Sequence, residues 1–192
     1  NRRSRGLGDV YKRQINNNIK SDSGKYNWGV TTNQSYLPLD NSDFFTQNIS
    51  LVDWLRNWAN TEQEREDVYL RGFLGKMIFS GEEALKKCTV LSGGEKVRCM
   101  ISRMMMKKAN VLILDEPTNH LDLESITAFN NSLSRFKGTV LFSTHDHQFA
   151  QTIANRVVEL TPNGVIDRQM KFDEYMSDNK IKDLRNSMYL LP

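Results

Sequence analysis

Between Leu91 and Asp146 the chain carries four short motifs in a fixed order. They are Leu91-Ser92-Gly93-Gly94-Glu95, Val111 to Glu116 (VLILDE), Pro117 to Asp122 (PTNHLD) and Ser143-Thr144-His145-Asp146. Two apolar tetrads lie among them. Val111-Leu112-Ile113-Leu114 and Thr139-Val140-Leu141-Phe142 are too short for buried helices and apolar on both faces, as central strands of a helix-covered sheet are. Helix-length stretches alternate with them. The pattern predicts an α/β fold, in which ligands gather at the C-terminal ends of parallel strands. No G-x-x-x-x-G-K-[ST] phosphate loop occurs in the sequence.

The 192 residues make a length for one domain. A charged fraction of 26% and a hydrophobic fraction of 39% fit a soluble globular protein. No apolar run approaches the roughly 20 residues a membrane-spanning helix needs, so no membrane partner and a cytoplasmic location are expected. The net charge of +3 is concentrated at one end. Arg2, Arg3, Arg5, Lys12 and Arg13 against Asp9 give residues 1–14 a charge of +4, which leaves −1 for the remainder. The basic balance is therefore no argument for nucleic-acid binding. Residues 1–14 lack periodicity and are expected to be a non-native arm outside the fold. Cys88 and Cys99 flank the first motif without C-x-x-C spacing. Two reduced thiols are expected, with a disulfide as the alternative.

Residues 15–48 read as a partial core, with a turn at Asp22-Ser23-Gly24 and a strand at Trp28 to Thr32. Ser23-Gly24-Lys25 is not a phosphate loop: the loop's first glycine is missing, and Tyr26 stands where a hydroxyl residue would bind magnesium. Residues 49–90 read as a helical subdomain, since Leu51, Leu55 and Trp58 recur at helical spacing and Thr61-x-x-Glu64 can cap a helix. Residues 91–178 form the main core, with a hairpin at Val157 to Leu160 and Gly164 to Ile166. Residues 179–192 are a polar tail, and one or two helices are expected from Met170 onward.

Each motif has a structural and a functional reading. Ser92 and Glu95 have capping-box spacing, but the adjacent Gly93 and Gly94 let backbone amides meet an anion at a helix start. Asp115 and Glu116 end a strand where ligands bind. Asp122 and Asp146 can cap the helices that follow them. His145 with His147, or with Ser143, lacks the further ligands or nucleophile elbow of a metal or hydrolase site. His147 is expected on a helix surface, Lys96 and Arg98 in solvent, and Met104-Met105-Met106 in helix packing.

Together the motifs resemble the ATP-binding cassette (ABC) superfamily, and Asn119-His120 resembles its ABC-F branch. The resemblance covers about Ile15 to Asp178. It implies a P-loop NTPase-like ABC nucleotide-binding domain with a helical signature subdomain, ATP and Mg²⁺ as cofactors, and a second cassette and the ribosome as partners. It also assigns roles to residues. Ser92, Gly93, Gly94 and Glu95 would be the signature contacting ATP held by the opposite cassette. Asp115 would be the Walker B aspartate that helps hold Mg²⁺, and Glu116 the carboxylate that polarises the attacking water. Asp122 would belong to the D-loop, and His145 would be the switch histidine. Gln34, following the predicted strand, would be the Q-loop glutamine that touches Mg²⁺ and the water. The family's phosphate loop precedes the Q-loop, where this chain has only residues 1–14. The expectation is most of a C-terminal cassette from a longer protein. A degenerate cassette that only donates a signature, or a transporter's ATPase subunit, are the alternatives. The NHLD sequence argues against the transporter.

Overall fold

The computed structural model describes residues 7–16 and 18–190. It divides into two compact units, one of residues 21–143 and one of residues 144–192 with the segment before residue 21. These units do not follow the boundaries expected from composition. The first element is a helix, α1 (Leu7–Ile15), with Lys12 buried. It lies largely within the stretch expected to stand outside the fold. The rest of that expectation, for residues 1–6, falls outside the described residues.

The 21–143 unit is built on a three-stranded parallel sheet: β1 (Gln34–Leu37), β2 (Val111–Asp115) and β3 (Thr139–Ser143), in that order. β2 is central, and its Ile113 and Leu114 are fully buried. β3 was expected to be a second central strand and is instead an edge, paired with β2 alone among the described residues. Its Leu141 is 40% exposed. Short length and apolarity identify a strand, but they do not count its neighbours.

The strand expected at Trp28 to Thr32 is a turn, closed by the Thr32 N–H donating to the Gly29 carbonyl at 2.9 Å. Asn110 fixes this local path. Its Oδ1 accepts from the Asn33 N–H at 2.8 Å, and its Nδ2 donates to the Thr31 carbonyl at 2.8 Å. Pairing with β2 begins only at Gln34.

Helices α2 (Leu51–Arg56), α3 (Glu62–Arg65), α4 (Asp67–Lys76) and α5 (Gly93–Met106) form the helical part of this unit. The Glu64 N–H donates to Thr61 Oγ1 at 3.2 Å, as the T-x-x-E spacing predicts. Leu51, Leu55, Leu70, Leu74 and Met100 are fully buried, each worth roughly 1.5–3 kcal/mol of burial. The Arg103 guanidinium lies 3.6 Å from the Trp58 ring centroid, and burial lowers its pKa to about 10. Helix α6 (Leu123–Ser134) connects β2 to β3.

The 144–192 unit contains α7 (His147–Ile153), β4 (Val157–Thr161) and β5 (Gly164–Arg168), followed by α8 (Phe172–Ser177) and α9 (Asn179–Tyr189). β4 and β5 make the predicted antiparallel hairpin, turning at Pro162-Asn163 into Gly164 with φ +137°. Ile166, Tyr175 and Ile181 form its core. Glu159 ties the hairpin to the last two helices. Its carboxylate accepts from Tyr175 Oη at 2.5 Å, Arg185 Nε at 3.0 Å and Tyr189 Oη at 3.0 Å. No helix among the described residues is long and apolar enough to cross a membrane.

Candidate functional site

β2 delivers Asp115 to the C-terminal end of the sheet. The side chain is 3% exposed, and its Oδ1 accepts from Ser143 Oγ at 3.1 Å, across the register pair Asp115↔Ser143. The Glu116 N–H donates to the Ser143 carbonyl at 3.1 Å, so the strand pairing continues one residue further. There the chain breaks away, with Glu116 at φ +46°. Two tight turns follow: the Asn119 N–H donates to the Glu116 carbonyl at 3.1 Å, and the Leu121 N–H to the Thr118 carbonyl at 3.2 Å. His120 is also left-handed, at φ +65°. Such backbones cost of order 1–3 kcal/mol each and gather at functional sites. Asp122 then caps α6 by accepting from the Ser125 N–H at 2.8 Å, and that bond lowers its pKa.

The start of α5 meets this loop. Ser92 and Glu95 form the predicted capping box, with the Glu95 N–H donating to Ser92 Oγ at 3.3 Å and the Ser92 N–H donating to Glu95 Oε2 at 2.8 Å. Lys86 Nζ lies 2.7 Å from Glu95 Oε1, so both carboxylate oxygens serve local structure. The two glycines face His120. A Cβ on Gly94 would lie 2.4 Å from the His120 carbonyl oxygen, and one on Gly93 would lie 3.5 Å from the His120 side chain. The His120 part of the loop from Glu116 to Asp122 therefore packs against the first turn of α5, where Gly93 and Gly94 sit.

Gln34 is not part of that contact. It opens β1 opposite Val111, whereas Asp115 closes β2 four residues later. At about 3.3 Å per residue the two positions are roughly 13 Å apart along the sheet. The neighbouring Asn33 Nδ2 donates to the Lys107 carbonyl, at the far end of α5 from Ser92. The 14 residues of α5 span about 21 Å. The expected role for Gln34 at Mg²⁺ and water does not fit this geometry. The turn at Trp28 to Thr32 shifts the strand, so that Gln34 starts it where it was expected to follow it.

The correct end of β1 leads into Pro38-Leu39-Asp40, residues to which the sequence reading gave no role. Asp40 Oδ1 accepts from the Ser42 N–H at 3.0 Å, and that bond, with a smaller contribution from Lys96 on α5, lowers its pKa. Arg98 is not in solvent as expected. It donates to the carbonyls of Met77 and Ile78 at 3.2 and 3.4 Å, and its guanidinium sits 4.5 Å from the Phe79 ring centroid. A basic residue one turn into α5 gave no sequence signal for this.

His145 lies in the other unit. Beside it the Asp146 N–H donates to Thr144 Oγ1 at 3.0 Å, and Asp146 Oδ1 accepts from the Phe149 N–H at 3.0 Å, capping α7. His147 is exposed on α7, its Nε2 lying 3.0 Å from Asp173 Oδ1.

The model of the family described as ABC transporter matches residues 12–119. The chain belongs to this family. The ABC chain is 56% identical over 176 residues to YkpA of Bacillus subtilis (strain 168), an uncharacterized ABC transporter ATP-binding protein, covering 91% of this chain and 32% of that relative. It is 36% identical over 110 residues to ABC transporter F family member 2 of Arabidopsis thaliana, covering 57% of this chain and 16% of that one. A solved metal-chelate type ABC transporter in an inward-facing conformation matches with a TM-score of 0.72 at 18% identity, over 96% of this chain and 76% of that chain. That likeness shows the fold, the α/β ABC nucleotide-binding domain. The chain spans about a third of the length of the first curated relatives it matches.

ATP is the ligand that membership of this family gives the ABC domain. Among the described residues no group of three or more His, Cys, Asp and Glu could hold a metal ion. The Asp115 carboxylate and the Ser143 hydroxyl nevertheless place two oxygen donors side by side on adjacent strands. Such a set suits a Mg²⁺ ion that arrives with phosphates and keeps its waters, not one caged by protein alone.

Proposed function

We propose that this ABC domain is part of an ABC-F ATPase. The whole protein binds and hydrolyses MgATP between two cassettes and acts in the cytoplasm on the ribosome, in translation or antibiotic protection. The observation that carries this reading is the seating of the signature glycines, at the start of α5, against His120 in the Asn119-His120 loop that leaves the carboxylate end of β2. The similarity to a protein named as an F family member supports the branch.

In this reading Asp115 is the carboxylate that helps hold Mg²⁺, and Glu116 polarises the attacking water. General-base assistance of that kind typically contributes 10²–10⁴-fold in rate. The Ser92 hydroxyl and the amides of Gly93 and Gly94 meet the γ-phosphate of ATP held by the opposite cassette, drawing on the positive end of the α5 dipole. Glu95 holds that helix start in place. Asp122 fixes the loop that crosses to the partner cassette, and His145 is assigned to the γ-phosphate on its motif.

The test is Glu116→Gln in the whole protein. ATP binding is expected to persist while hydrolysis falls at least ~100-fold, and the ATP-bound protein is expected to co-sediment with ribosomes more than the nucleotide-free one. Wild-type turnover would remove Glu116 as the base. Equal sedimentation with and without ATP would remove the ribosomal part of the reading.

A further inference from the structure

Met104 and Met105, which the sequence assigned only to packing, line an open cavity of about 330 Å³ at the surface of the 21–143 unit. Its walls are apolar and include Leu114, Phe129 and Phe136. Its apolar walls offer water few partners.

The charges lining the cavity are all of one sign. Lys76, Lys108 and Arg135 contribute to it, and no acidic residue does. Lys108 lies 3.2 Å from Glu64. Lys76 sits 4.5 Å from the Phe73 ring centroid, and among the described residues neither it nor the exposed Arg135 has a carboxylate partner. The site is separate from the nucleotide residues. Side chains alternate along a strand, so Leu112 and Leu114 face the cavity while Asp115 lies on the opposite face of β2.

We propose that this cavity binds a medium-chain carboxylate amphiphile. The acyl chain lies among the methionines and phenylalanines, whose flexible thioethers adapt to it, and the carboxylate meets Lys76 and Arg135. The inference does not depend on the ABC-F reading.

Isothermal titration of the full chain with decanoate, below its micelle concentration, tests it. Decanoate is expected to bind in the micromolar range, and uncharged 1-decanol about tenfold more weakly, because a charge-assisted contact is lost. The double variant Lys76→Gln with Arg135→Gln is expected to reduce decanoate to the level of decanol and leave decanol unchanged. Met105→Trp, which fills the cavity, is expected to abolish both. Should Met105→Trp fail to fold, the exposed rim pair carries the test alone. No decanoate binding, or equal affinity for acid and alcohol, overturns the proposal. A ligand-free dimer on sedimentation that Met105→Trp converts to monomer would assign the cavity to a second copy and also overturn it.

Discussion

The carbonyl oxygen of His120 occupies the space that a side chain on Gly94 would need. An added Cβ would lie 2.4 Å away, closer than side-chain carbons approach other atoms. The atom belongs to the backbone, so no truncation of His120 relieves the clash. Gly94→Ala is expected to destabilise the chain by about 1–3 kcal/mol, as overpacking does. Gly93→Ala meets only an ordinary 3.5 Å contact and is expected to stay within about 0.5 kcal/mol of the parent. Thermal denaturation of both, and of Gly94→Ala with His120→Ala, checks this. Rescue of Gly94→Ala by His120→Ala would show that the imidazole, not the carbonyl, is the obstacle.

The chain of residues 1–192 has no phosphate-loop sequence. Phosphoryl transfer depends mainly on positioning and charge stabilisation, so these residues alone are expected to show no magnesium-dependent ATP turnover above background. A coupled phosphate-release assay measures it. Turnover that Glu116→Gln abolished would overturn the expectation.

Both cysteines are buried and free. Burial raises the Cys88 thiol to about 11 and the Cys99 thiol well above its ordinary value. At pH 8 the Cys88 thiolate is then about one part in a thousand, and thiolate is the reactive form. Ellman's reagent is expected to titrate neither thiol in the native chain and both after denaturation. No thiols after denaturation would mean a disulfide.

Glu159 gives the 144–192 unit an acid-sensitive joint. Burial raises its pKa, but hydrogen bonds from Tyr175, Arg185 and Tyr189 outweigh that, and the net direction is below its ordinary 4.5. A depressed folded-state value means the stabilisation is full above the unfolded pKa and is lost as pH falls through the folded one. Wild type is therefore expected to exceed Glu159→Gln in stability above about pH 4.5, and the gap should close on acidification below it. Urea unfolding at several pH values measures the gap. A difference that persisted unchanged at pH 2 would show that charge at Glu159 is not its source.

The features that sequence alone determined are the local ones. The Ser92/Glu95 box, the Thr61 and Asp122 caps and the Pro162-Asn163 hairpin turn each join residues a few positions apart. Their hydrogen bonds follow from residue type and spacing. The apolar run of β2 was legible for the same reason, and with it the position of Asp115 and Glu116. What tertiary structure decided involves partners far apart in the chain. Gln34 went to the wrong end of the sheet because its register is set by Val111 and by Asn110 hydrogen bonds 77 and 79 residues away. The place of β3 was not legible, because a strand's own residues do not specify how many neighbours it has; among the described residues it pairs with β2 alone. Gly93 and Gly94 looked like an opening for phosphate alone. Only the folded loop, with His120 held left-handed against them, shows that the backbone itself also needs that space.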